Sequence, residues 1–98
     1  MNNILITTGS LDEQVEYEII DAIFAIGSTT ESFWKGIDAN NAFLGVKNEL
    51  RKKCAELGGQ AVVNCQFQYR VAVTDGAFGS KKQVIELFAY GTAVRILQ

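Results

Sequence analysis

The residues best suited to chemistry are two thiols, Cys54 and Cys65, in a chain of 98 residues without a histidine. A deprotonated thiol is a strong ligand for soft metals. The missing imidazole excludes Ser-His-Asp and Cys-His nucleophile systems, a His-ligated zinc and a histidine pH switch. Cys54 precedes the Gly58-Gly59 pair by about 6 Å of helical rise, whereas Cys65 follows it by roughly 20 Å of extended chain. An element running back on itself at that pair leaves the two sulfurs offset. Both fall on the apolar positions of their elements, where free cysteine serves as a small hydrophobe. A metal centre of divalent or soft character, with Cys54 and Cys65 as its weak candidates, needs added carboxylates or symmetry copies.

A second constellation is polar. Asn64, Gln66, Gln68 and Arg70 alternate with Val63, Cys65, Phe67, Tyr69, Val71 and Val73, which assigns the two sets to opposite faces of a strand. Such a row lines a groove or the opening of a ring, where repeated amides offer donors and acceptors to a small polar ligand or an ion. Its plainer reading is a solvated sheet face. An enzymatic alternative places Arg70, Tyr69 and Tyr90 with a carboxylate at a subunit interface. Glu16, Glu18, Asp21 and Glu86 are available, but spacing brings no two of them together.

Other motifs carry less. Gly76 to Lys82 is rich in glycine and lysine, yet a phosphate loop must lead into a helix N-terminus. A strand is expected to follow, so an ordinary hairpin tip is the reading. Lys47, Arg51, Lys52 and Lys53 are interspersed with Glu49 and Glu56, which describes a charged outer helix face. Phe33 and Trp34 are read as covering the core or a neighbouring subunit.

These residues need elements to position them. Ile4 to Thr8 reads as a short strand. Val15 to Ile26 is dense in Ile, Tyr and Phe and reads as a second strand stopped by Gly27-Ser28, with a helix as the alternative. Ser28-Thr29-Thr30-Glu31 has capping-box spacing and predicts a turn or two of helix. A longer helix is expected from about Ala39 to Leu57, with Asp38 as N-cap and Gly58-Gly59 as its stop. Phe43, Val46, Leu50, Cys54 and Leu57 form its dry stripe. Ala61 to Val73 is the third strand, Thr74 to Gln83 a hairpin loop, and Val84 to Leu97 the last strand. The sum is one α+β domain spanning 1–98. Its order is β-β-α-β-β: an antiparallel or mixed sheet with one long helix on one face.

Composition supports a single folded unit: 48% hydrophobic and 20% charged residues, with a net charge of −2. That charge argues against nucleic acid or an anionic membrane as partner. No apolar run reaches the roughly 18 residues of a membrane span, and Met1-Asn2-Asn3 does not open a signal peptide. Two cysteines and no export signal point to a cytoplasmic location.

One helix covers one face of a four-stranded sheet, yet two strands are apolar on both faces. In the second, Ile19, Ile23 and Ala25 oppose Ile20, Ala22, Phe24 and Ile26. In the last, Val84, Phe88, Tyr90, Val94 and Ile96 oppose Ile85, Leu87, Ala89, Ala93 and Leu97. Leaving the outer set wet forfeits roughly 1.5–3 kcal/mol per large side chain. A second copy of the chain is the expected cover.

Several phrases resemble the YbjQ-like proteins, a small bacterial family carrying a heavy-metal-binding label. Leu57-Gly58-Gly59-Gln60-Ala61-Val62-Val63 is similar to the family's helix-to-strand junction, and Tyr90-Gly91-Thr92-Ala93-Val94 to its C-terminal strand. Val15-Glu16-Tyr17 resembles its second-strand start, and Thr7-Thr8 the end of its first strand. The glycine-rich, Arg- and Asp-bearing stretch of many members is replaced here by Ser28–Ile37. The resemblance implies a subunit shaped like that of dodecin, assembled as a homopentamer, with no established reaction. The functional expectation is a non-enzymatic homo-oligomeric module that binds a metal or small polar ligand or serves as a scaffold. A partner-binding domain is the third reading.

Overall fold

The computed structural model describes residues 3–30, 39–75 and 79–97. Four strands and one helix run in the order β1 (Leu5–Ile6), β2 (Tyr17–Thr30), α1 (Ala39–Glu56), β3 (Ala61–Asp75) and β4 (Lys81–Ile96). The strands form one mixed sheet in the order β1-β3-β4-β2. β1 lies parallel to β3, while β4 pairs antiparallel with both β2 and β3. This is the expected α+β architecture.

The helix starts where the sequence places it and stops for the expected reason. Gly58 takes φ = +80°, a conformation that costs glycine least. Its N–H donates to the Ala55 carbonyl at 3.0 Å, and that of Gly59 donates to the Cys54 carbonyl at 2.8 Å. Together these bonds close the last turn in a Schellman motif. The buried stripe is Ala42, Val46, Leu50 and Cys54, with Phe43 packed at its margin. Leu57, expected on that stripe, is exposed because it lies beyond the last helical turn.

β2 corrects two expectations. It runs through Gly27-Ser28 rather than ending there, so Ser28 sits in a ladder opposite Glu86 and does not cap a helix. Gly27 serves packing instead: a Cβ there would stand 2.6 Å from Cγ2 of Val46. Residues 31–38, with Phe33, Trp34 and the Asp38 cap, lie outside the described residues. The second correction is a register shift between Ile19 and Asp21. An inserted residue turns the alternation over, so Ile20 packs on the core with Ile23 and Ala25 while Ile19 is exposed.

β3 carries the same device. Its register with β4 shifts between Val63 and Gln66, and Asn64 sits there at φ = +53°. Asparagine tolerates this left-handed region better than most residues. Consequently Val62 and Cys65 join the core under α1, whereas Val63 clusters with Ala61, Val94, Leu11 and Tyr17 on the other side. The loop before β2 therefore covers one end of the outer sheet face. Part of the apolar surplus is thus sealed by the chain itself.

Among the described residues the rest is not sealed: Ile19, Phe24 and Ile26 are 70%, 62% and 60% exposed. β3 and β4 stay paired out to Asp75 and Lys81, shortening the expected hairpin loop, whose residues 76–78 lie outside the described set. Lys81 and Asp75 also form an ion pair at 2.6 Å. The chain extends 58 × 22 × 20 Å, with a radius of gyration of 16.4 Å. A compact chain of this length has about 13 Å. Its accessible surface is 6809 Å², against about 5,500 Å² for a typical monomer of this mass.

Candidate ligand surface on the open sheet face

The sheet face opposite α1 is organised in rows by the two ladders. Gln66 pairs with Tyr90, which pairs with Phe24; Gln68 pairs with Phe88, which pairs with Ile26; Arg70 pairs with Glu86, which pairs with Ser28. Each row thus crosses from a polar residue on β3 to an apolar or small one on β2. Phe24, Ile26 and Tyr90 are between 48% and 62% exposed. An amide beside an exposed aromatic ring suits a flat polar molecule, with stacking area on one side and hydrogen-bond donors and acceptors on the other.

The predicted row is largely brought together. Gln66, Gln68 and Arg70 share this face and are exposed, and Asn64 is exposed at the bulge below them. Arg70 is already engaged, since its Nε donates to Oε1 of Glu86 at 2.7 Å. This cross-strand pair fixes the guanidinium beside the row. Glu18 and Arg95 make a second such pair nearer the start of β2. Tyr69 occupies the opposite face from Arg70 and Tyr90, because neighbouring residues on an unbulged strand alternate. The enzymatic grouping of Arg70, Tyr69 and Tyr90 therefore does not converge within one chain.

The thiols belong elsewhere. Cys54 and Cys65 are both fully buried in the cluster formed with Leu50, Val62, Leu87 and Ala89. The Cys54 thiol donates to the Ala61 carbonyl at 3.5 Å. Burial pushes both thiols above their ordinary range, with the Ala61 contact opposing it slightly for Cys54. Among the described residues, no group of three or more thiols and carboxylates could hold a metal ion. Protonated sulfurs in an apolar pocket do not fit a heavy-metal centre within one chain.

Helix periodicity did not reveal the role of Lys53. Its ammonium donates to the Phe24 carbonyl at 2.6 Å and lies 4.7 Å from the centroid of the Phe24 ring. It reaches round the β2 edge of the sheet and borders an open groove of about 240 Å³ with Asp21, Glu56 and Leu57. Arg51 is likewise spent, on the Ile4 carbonyl at 3.2 Å and the Asn48 side chain at 3.1 Å. The basic helix group is therefore partly consumed in tying the helix to the sheet.

Comparison with known proteins agrees with this geometry at the level of fold and family. A family model described as "Putative heavy-metal-binding" matches residues 26–97. A crystal structure of a protein of unknown function from Pediococcus pentosaceus, described as belonging to the DUF74 family, superposes with a TM-score of 0.70. It shares 22% sequence identity, and the match covers 96% of this chain and 98% of that one. No curated protein matches.

Proposed function

The chain belongs to the YbjQ-like family, and we propose on that footing that it is a non-enzymatic, self-assembling module whose open sheet face takes up a small polar ligand. The observation that carries this reading is the row pattern of that face, where Gln66 and Gln68 stand beside Tyr90, Phe88, Phe24 and Ile26. Phe24, Ile26 and Tyr90 stand 62%, 60% and 48% exposed on it, an apolar cluster of the kind that marks an interaction surface, and copies of the chain are the cover this reading supplies. A copy number of five is the reading that the family resemblance supports, and the presence of only two cysteines supports a cytoplasmic location. The buried state of Cys54 and Cys65 favours a polar organic ligand over a thiolate-bound metal.

Native mass spectrometry of protein taken directly from cells tests both parts at once. The expected result is a multiple of the subunit mass carrying a retained small molecule that is lost from the Gln66→Ala, Gln68→Ala variant. A bare monomer would contradict the proposal, as would an assembly that keeps the same added mass in that variant.

A further inference from the structure

The open sheet face holds a platform with a distinct row at each end. Its two central rows, Gln66–Tyr90–Phe24 and Gln68–Phe88–Ile26, each cross from β3 through β4 to β2. Same-face residues on a strand lie about 7 Å apart, and neighbouring strands about 5 Å. The central side chains therefore frame an area of roughly 7 by 10 Å, the footprint of a fused two-ring system. At one end the Val63–Thr92–Ala22 row is uncharged, and Val63 is buried. At the other end stands Arg70–Glu86–Ser28, the one row of the set that bears charge.

Both cations that border the platform are already engaged. Arg70 donates from Nε to Oε1 of Glu86 at 2.7 Å, and Glu86 is the more covered partner, 28% exposed against 67% for Arg70. At the β2 edge Lys53 is held by the Phe24 carbonyl at 2.6 Å and lies over the Phe24 ring, while Asp21 and Glu56 line the same groove. What remains on the two central rows is uncharged: the carboxamides of Gln66 and Gln68, the Tyr90 phenol, and the apolar Phe24, Ile26 and Phe88. A carboxamide both donates and accepts. An ion that sheds water without meeting a counter-charge, in contrast, is costly to bind.

We infer that Glu86 sets the charge of the ligand: by holding Arg70, it makes the open face select an uncharged planar molecule with one hydrogen-bonding edge. The inference rests on the ligand-surface reading above and specifies the ligand's class. A carboxylate that arrives at Arg70 meets the Glu86 carboxylate as well, and a cation that arrives at Glu86 meets the guanidinium. Neither finds a net opposite charge. An uncharged ring amide stacks on Tyr90 and Phe88 and sets its polar edge against Gln66 and Gln68. Glu86 acts through Arg70 rather than on the ligand, which makes it a positioning residue. Without it, Arg70 would offer a planar fork of donors suited to carboxylates.

A matched pair of probes tests this selectivity. Naphthamide and naphthoate share a ring and a shape and differ by one charge. Calorimetric titration of the wild type is expected to show naphthamide bound at least about tenfold more tightly. Glu86→Gln is expected to abolish or reverse that preference, with its naphthoate affinity falling as salt is added. The double variant Arg70→Gln, Glu86→Gln should keep the wild-type preference, because it removes both charges together. Equal or tighter binding of naphthoate by the wild type would overturn the inference. So would an unchanged preference in Glu86→Gln, or a reversed one in the double variant. Binding of neither probe, or binding unaffected by Gln66→Ala, Gln68→Ala, would instead overturn the ligand-surface reading on which it rests.

Discussion

Phe24 and Tyr90 face each other across the β2–β4 ladder, on the side of the sheet that α1 does not cover. Two aromatic side chains adjoining in water are a poor arrangement for a monomer. Burying either would contribute roughly 1.5–3 kcal/mol. Replacing Phe24 and Ile26 by serine and threonine is therefore expected to weaken assembly while leaving the α1-covered core intact. Size-exclusion chromatography at several concentrations should show a shift toward monomer, with unchanged far-ultraviolet circular dichroism. Loss of the circular dichroism signal would instead place these side chains in the core.

The Arg70–Glu86 pair is exposed enough to contribute little stability. Arg70→Ala is expected to change the urea midpoint by the equivalent of about 0–1 kcal/mol. Its effect on ligand retention should be larger, because Arg70 stands beside Gln68 on the polar row. Chemical denaturation and native mass spectrometry of the same variant separate the two effects. A large loss of stability with ligand retained would reverse the assignment.

Gly27 lies inside β2 because the helix passes close above it. In Gly27→Ala the new methyl would fall 2.6 Å from the Val46 side chain, which is buried and β-branched. Overpacking of this kind costs about 1–3 kcal/mol. Thermal or urea denaturation should show that loss, and Val46→Ala in the same chain should recover part of the clash. Neutral behaviour of Gly27→Ala would mean that α1 sits farther from β2.

The thiols give a pH dependence with a definite sign. Burial raises both above the ordinary thiol range, so the folded chain holds these protons more tightly than the unfolded chain. Their contribution is complete below the unfolded thiol value of roughly 8.5 and is lost as pH rises above it. The loss is at most about 1.4 kcal/mol per pH unit per thiol. Urea titrations at successive alkaline pH values should show the wild type losing stability faster than a Cys54→Ala, Cys65→Ala variant. Parallel slopes would mean that the sulfurs are accessible. Divalent-metal uptake should be the same in both proteins.

Periodicity read the framework well where it was regular. The helix from Ala39, its glycine stop and the alternation from Cys65 to Val73 all follow from spacing, because each buries one continuous face. It read poorly where one inserted residue inverted the faces. Strict alternation puts Ile19 and Val63 on the wrong sides, since a bulge leaves no mark in apolar alternation. Gly27-Ser28 misled for a related reason: a glycine admitted for a close helix approach looks the same as one that ends a strand. The polar row was legible as a row, but its aromatic partners depend on a β3–β4 register that only the folded ladder fixes. The Lys53–Phe24 contact joins elements far apart in sequence, so helix spacing alone gives no sign of it.

Sedimentation equilibrium of the purified wild type at micromolar concentration tests the self-assembly account most directly. The expected result is one species at a multiple of 10.8 kDa, stable on dilution. A homogeneous 10.8 kDa species across the concentration range would contradict it.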